Sequence, residues 1–260
     1  MRFARLVLSF LFILSSSPRL SSQQSTAVPR RDPQAIALLS RCTATMGTFG
    51  RADTLLATGR LSYADGKSEP ETIVIMSIGP DRVRREATKS SGRQVSIMNG
   101  MRGRINHGGL VDRLPYWQLK YARPEYIPAA LCSYDLTRPL MSVVYVGLET
   151  VGAISVHHIQ LFVPVQNQEK NLGRFEPLIS DFHLYLDAQT FTVVKTKTLA
   201  FSPNAIENHS DWETYYTEYR AVDRVLMPFR ISNLLGGQKL WDIVFTSVQT
   251  NVPLAASNFE

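Results

Sequence analysis

The sequence predicts a mainly β (α+β) protein: a curled, unclosed antiparallel β-barrel of about 11 strands, lidded by an N-terminal helix and a mid-chain helical insertion. Three observations carry this expectation. Apolar residues follow a sustained helical spacing over an early stretch, at Ala35, Leu39, Cys42 and Met46. From residue 54 the period changes to two, and turn signals separate runs rich in β-forming residues. Residues 110–138, rich in proline and aromatic side chains, break that pattern. A long antiparallel sheet must curl or close to protect its edges. Its concave side then needs a filling, and the early helix and the insertion are the segments available for it.

The chain of 260 residues opens on a basic MRFAR, an uncharged and mainly apolar LVLSFLFIL (6–14), and a polar SSSPRLSSQQSTA. This is the three-part pattern of a secretory signal peptide. The apolar run spans about 14 Å as a helix, against about 30 Å of bilayer hydrocarbon, so it is too short to cross. Cleavage is expected after Ser22, and no Cys stands just behind the run to accept a lipid. The expected organisation is a signal peptide (1–22), a flexible leader (23–31) and a single domain (32–260), soluble in the periplasm after cleavage.

Asp32-Pro33 starts the helix, an N-cap acceptor followed by a residue that needs no N–H bond. Ile36 and Leu38 widen its apolar stripe, and the helix should stop between Gly47 and Gly50. Strands are expected near 54–63, 69–78, 81–88, 93–99 and 102–107, with turns at Asp65-Gly66, Gly79-Pro80, Ser91-Gly92 and Asn99-Gly100. Such short connections make neighbours antiparallel hairpins. In the insertion, LPYWQLKYA and PEYIPAALC read as short helices or turns interrupted by Pro124 and Pro128. Strands resume near 141–149, 152–164, 181–187, 191–201, 213–222, 226–235 and 239–250, and the tail NVPLAASNF reads as extended.

Composition excludes several functions. Hydrophobic residues at 44% and charged residues at 19% describe a folding chain. Without Arg2, Arg5 and Arg19 of the signal, 25 basic and 22 acidic residues leave a net charge of +3, too weak a bias to argue for nucleic acid. Only Cys42 and Cys132 are present, so a cysteine-based zinc cluster is unavailable. No G-x-S-x-G, H-E-x-x-H, S-x-x-K or phosphate-cradling glycine loop occurs. The expectation is therefore no catalysis, no cofactor and no metal. His157 and His158 point to opposite faces of a strand, while His107, His183 and His209 lack a partner at ligand spacing. Cys42 and Cys132 fall on the helix and in the insertion. Either they pair across a loop of about 90 residues, or Cys42 is a small apolar member of the helix stripe.

Candidate ligand residues come from strand parity. Val83, Arg85 and Ala87 share a face, so an inward Val83 brings Arg85 inward too. A guanidinium beside apolar surface needs a carboxylate, a carbonyl or a ligand oxygen. Val74 and Met76 of the apolar IVIMSI, Ile97, Trp241 and Phe245, and the aromatic Tyr116, Trp117, Tyr121 and Tyr126 complete the set. These side chains line an apolar cavity or fill a plain core.

The order of elements resembles the outer-membrane lipoprotein carrier (LolA/LolB-like) superfamily, of the lipoprotein-sorting type. A signal peptide precedes a striped helix, a strand pair, GPDRVRRE (79–86), RQVSIMNGMRGRI (93–105), an aromatic insertion and a long antiparallel run closing with WDIVFTSVQTNVPLAASNF. The resemblance covers residues 32–260. It implies an unclosed barrel lidded by helices, with an apolar cavity that receives acyl chains. Where the carrier has an arginine before the proline of its third strand, this chain has Gly79 ahead of Pro80. The implied function is a non-catalytic periplasmic carrier for lipoprotein acyl chains or another apolar ligand. Lipid or lipidated protein and membrane transport complexes would be its partners, and a monomer its state. The superfamily also includes a sensor that binds an anti-sigma factor, which implies the alternative of an envelope interaction module with a filled core.

Overall fold

The computed structural model describes residues 28–100, 102–114, 119, 124–134, 140–164, 176–202 and 205–260. Helix α1 (Pro33–Met46) begins at the predicted cap: Asp32 Oδ1 accepts from the Gln34 N–H at 2.9 Å, and Pro33 occupies the first turn. Ala35, Leu38, Leu39, Cys42 and Met46 are buried on one face. The helix stops at Gly47, whose φ of 81° suits glycine. A Cβ there would lie 2.1 Å from the Arg224 carbonyl oxygen, so the strand turn behind it leaves no room for a side chain.

Six strands follow as a meander: β1 (Thr54–Tyr63), β2 (Glu71–Ile78), β3 (Arg82–Lys89), β4 (Gly92–Asn99), β5 (Arg102–His107) and β6 (Leu110–Arg113). A 3-10 turn (Pro124–Tyr126) and helix α2 (Pro128–Tyr134) come next, then β7 (Ser142–Val151), β8 (Ile154–Phe162) and helix α3 (Glu176–Ser180). The chain closes with β9 (Phe182–Asp187), β10 (Val193–Ser202), β11 (Ala205–Val222), β12 (Val225–Leu235) and β13 (Gln238–Thr250).

All 13 strands form one curled sheet in the order β6-β5-β4-β3-β2-β1-β13-β12-β11-β10-β9-β8-β7. Every described pairing between strands is antiparallel, and β1 pairs with β13 to join the two meanders. The free edges are therefore β6 and β7, which follow one another in sequence. The connection between them has to cross from one edge to the other. It does so over the concave side, where Leu119, Tyr126, Ile127, Ala129, Ala130 and Leu131 join the core with α1. Residues 30–32 add a short parallel bridge to β7, through Arg31 and Val143.

Three expectations need correction. The sheet has 13 strands instead of about 11. Residues 110–113 belong to the sheet and not to a helical insertion, because Gly108 and Gly109, both at positive φ, turn β5 back into β6. The tail is not extended to its end: Ala256–Phe259 forms a 3-10 turn and buries Phe259. Helix α3 went unread because five residues are too short to display a helical period. The proposed signal peptide lies outside the described residues.

Cys42 and Cys132 are joined, with Cα atoms 5.9 Å apart, tying α1 to α2 across 90 positions of sequence. Replacing both cysteines by alanine should lower stability by roughly 4 to 5 kcal/mol in the chain-entropy picture. Urea unfolding with and without reductant checks this: the variant should be insensitive to reductant and the parent sensitive. Gly47→Ala should cost on the order of 1–3 kcal/mol by forcing an alanine into the left-handed region against the Arg224 carbonyl, read as a lower urea midpoint at unchanged slope.

Candidate functional site: the concave face and its rim

Alternation along the paired strands builds the concave wall in rows. The deepest runs Leu55, Ser77, Val83, Met98, Gly103. The next is Ala57, Ile75, Arg85, Ser96, Ile105, and the last before the rim is Gly59, Ile73, Ala87, Gln94, His107. Gly103 has a specific reason to lack a side chain: a Cβ would sit 2.2 Å from Leu119 Cδ2, so the cover packs directly on the backbone of β5. On the other half of the sheet, Ile231, Ile243, Phe245, Leu184 and Leu161 are buried against the same core.

Arg85 shares the concave face with Val83 and Ala87, opposite Ile75 and Ser96. Its guanidinium lies close enough to Tyr63, Glu125 and Tyr126 to pull all three acids down. Burial outweighs that pull in each case, so Tyr63, Glu125 and Tyr126 all stand above their ordinary pKa values.

Glu125 sits in the 3-10 turn of the cover yet touches the wall. One carboxylate oxygen accepts from Trp212 Nε1 at 3.2 Å and from Thr214 Oγ1 at 3.1 Å. The residue is only 8% exposed. A space of about 10 Å³ beside it, enough for one water, is lined by Leu131, Phe182, Thr196, Thr198 and Tyr216. Asn233 donates from Nδ2 to the Glu213 carbonyl and to Thr214 Oγ1, while its buried Oδ1 has no partner among the described residues. Nothing in the sequence marked Glu125, since a single acid in an aromatic, proline-rich stretch carries no period.

At the rim a cleft of about 310 Å³ opens between Tyr63, Glu71, Ala87, Lys89, Arg93, Gln94 and His107, along with the turn residues Ser91, Gly92 and Gly108. Glu71 is buried there, accepting from the Tyr63 hydroxyl at 3.2 Å, with Lys89 Nζ at 3.8 Å.

The other sequence candidates divide. Tyr126 and Phe245 are buried in the core, and Trp241 is half-buried against it, opposite Tyr63 and Asn233. Val74, Met76 and Ile97 do not line the concave side. Val74 pairs with Glu86, while Met76 and Ile97 flank Arg84, which donates to the Asn258 carbonyl at 3.0 Å. The C-terminal turn covers this convex patch of β3 and β4. Tyr116, Trp117 and Tyr121 lie outside the described residues.

The convex face holds a cluster that sequence spacing missed. His158 Nδ1 meets Glu149 at 2.6 Å, its Nε2 meets His183 Nδ1 at 2.7 Å, and His183 Nε2 meets Asp181 at 3.1 Å. Register brings His158 and His183 together across β8 and β9, 25 residues apart. Burial lowers the His158 pKa against the pull of Glu149. Among the described residues no group of His, Cys, Asp and Glu is arranged to hold a metal.

The arrangement is a helix-covered, unclosed half-barrel with an apolar interior and a polar rim. No protein-family model and no curated protein matches the sequence. Solved structures do share the fold. A LolA superfamily protein of Nitrosomonas europaea is similar at 12% identity and a TM-score of 0.55, covering 87% of this chain and 97% of its own. A domain of Vibrio parahaemolyticus, named for outer-membrane lipoprotein sorting, gives 10%, 0.54, 87% and 96% in the same order. A DUF1329 family protein of Desulfovibrio piger gives 11%, 0.53, 87% and 96%. The chain thus has the LolA-type fold. Among the described residues no helix is long and apolar enough to cross a membrane.

The buried Glu125 makes stability depend on pH. Its folded pKa lies above the ordinary 4.5. Between those two values the folded protein binds more protons than the unfolded chain, so stability falls as pH rises through that window. Glu125→Gln should remove this slope and be more stable than the parent at pH 7. Urea midpoints measured from pH 4 to 8 decide it, and a parallel slope in both proteins would count against the assignment.

Proposed function

We propose that the protein is a non-catalytic carrier in the periplasm for acyl chains of lipid or lipidated protein, working as a monomer. Residues 1–22 would direct export and be removed, residues 23–31 would form the leader, with Arg30 and Arg31 docked on β7, and residues 32–260 would act as one carrier domain. The observation that carries this reading is the topology. The sheet is left unclosed, and helices, not strands, cover its concave side. A helical cover can part from the sheet without breaking a ladder of backbone hydrogen bonds.

The energetics favour exchange at that boundary. A 16-carbon chain in water costs on the order of 12 kcal/mol, at about 0.8 kcal/mol per CH₂. The cover meets the wall through Leu38, Leu39, Met46, Ile127 and Leu131, and an entering chain replaces those apolar contacts with its own. The space next to Glu125 is only about 10 Å³, so entry there means displacement of the cover. With Cys42 bonded to Cys132, α1 and α2 would move together. Arg85, on the concave face between Ile75 and Ser96, would meet a polar atom of the cargo.

A second reading, an envelope interaction module with a filled core, has its own observation. Edge strand β7 exposes Val146 at 48% and Leu148 at 60%, an apolar strip where a partner strand could add. Native mass spectrometry of protein purified gently from an envelope extract separates the two. Lipid-sized adducts support the carrier, whereas a bare mass that stays bare after lipid exposure removes it. Hydrogen exchange supplies a further prediction: amides of 124–134 should exchange faster than those of β1 and β12, and change on lipid addition.

A further inference from the structure

The histidine cluster on the convex face has a proton count that a carrier does not require. Glu149 on β7, His158 on β8, His183 on β9 and Asp181 just ahead of β9 are linked in series by contacts of 2.6, 2.7 and 3.1 Å. We propose that these four side chains form an acid-sensitive clasp on the free edge of the sheet: one added proton closes it, and a second, on His158, opens it and loosens the β7–β8 hairpin from β9. The count follows from the groups themselves. Each of the three contacts needs one hydrogen between its two atoms. Ionised carboxylates bring none, and two neutral imidazoles bring one each. One added proton therefore completes the chain. With none, one contact is left lone pair against lone pair. With two, the His158 Nε2–H points at the His183 Nδ1–H across 2.7 Å.

Burial makes His158 the member that resists a charge; His183 and Lys197 add to that resistance, and Glu149 opposes it. The closed clasp thus has one arrangement. His158 is neutral and donates from Nδ1 to Glu149, while His183 is charged and donates to His158 and to Asp181. The groups facing the clasp are held by pairs of their own. Tyr185 stacks on His158 with ring centroids 4.4 Å apart. Lys195 lies 4.5 Å over the Tyr185 ring and pairs with Glu213 on β11 at 2.7 Å. Lys197, opposite His183 on β10, pairs with Asp211 at 3.7 Å. The Gln160 amide donates to the other oxygen of Asp181 at 2.7 Å. The His158–His183 contact is therefore the one that a second proton breaks. Edge strand β7 depends on β8 for its place, and the bridge from residues 30–32 carries its loosening to the start of α1. Linkage fixes the direction. Below the ordinary histidine value of 6.5, the open hairpin binds a proton that the closed one refuses. The opening constant then rises up to about tenfold per pH unit as pH falls, until His158 is protonated in the closed form too.

Nitrogen-15 NMR of the histidine rings, together with amide exchange between pH 8 and 5, tests this. At pH 7 His183 should show two protonated ring nitrogens and His158 only Nδ1–H, with His158 taking its second proton at lower pH. Below pH 6.5 the amides of Ser142–Phe162, corrected for intrinsic rates, should exchange up to about tenfold faster per pH unit, while those of β1 and β12 change less. His158→Gln, which cannot take the proton, should remove the acid rise. Glu149→Gln takes away the carboxylate that favours a charged His158 and should lower the pH at which His158 titrates. This edge variant and the parent spectra decide the matter even where His158→Gln fails to fold. A neutral His183 at pH 7 overturns the clasp, as does a single step shared by both histidines at the ordinary value. So does an acid rise that persists in His158→Gln or spreads equally over β1 and β12. None of these outcomes touches the carrier reading.

Discussion

The antiparallel ladder between β1 and β13 is the interaction on which the rest of the architecture rests. Ten-residue β1 brings the first meander to the end of the second, and its register with β13 runs from Leu55–Thr250 to Tyr63–Trp241 with one irregularity at Thr58/Gly59. Gly59 is part of that ladder for a steric reason, since a Cβ there would lie 2.3 Å from the Val244 carbonyl oxygen. Because the first and last strands meet in the middle of the sheet, the two unpaired edges fall on strands adjacent in sequence. The segment linking them has to traverse the open side. The cover is thus a consequence of strand order.

That geometry divides the concave face into two chemical environments. Beneath α1 and α2 the wall is Leu, Ile, Val, Phe and Met, and the apolar side chains of the cover complete it. Towards the rim and the 3-10 turn of the cover the wall turns polar, with Tyr63, Glu71, Arg85, Thr196, Thr198, Thr214 and Asn233. Burying Glu125 in the second environment is costly, and the hydrogen bonds it accepts from Trp212 and Thr214, together with the charge of nearby Arg85, offset only part of that cost. The cover is thus held by apolar contacts beneath α1 and α2 and, at its 3-10 turn, by the hydrogen bonds of a carboxylate whose burial is only partly offset.

How far the site was readable depended on whether a strand's two faces differ in chemistry. In VRREA the alternation is sharp, and Arg85 falls with Val83 and Ala87 on the concave side as parity requires. In IVIMSI both faces are apolar, so the sequence holds no sign; the ladder with β1 turns Ile73 and Ile75 inward and leaves Val74 and Met76 outward. Ile97 looks like a core residue and is buried, but beneath the C-terminal turn on the convex side. Glu125 and the His158–His183 pair were invisible for another reason. Their partners lie tens of residues away, and only strand register brings them within hydrogen-bond distance.

The sequence by itself determined most of the elements, because those depend on local chemistry, while β6, the short helix α3 and the start of β11 at Ala205 escaped it. The Asp32-Pro33 cap, the glycine turns, the switch of period after α1 and the alternation of 182–187 and 241–245 are all properties of neighbouring residues. Tertiary structure alone decided the pairing of β1 with β13, the inward or outward sense of the strands apolar on both faces, and the seat of a cover carboxylate against Trp212 and Thr214. These depend on the total of many ladders and packed surfaces, and no local stretch of chain carries that total.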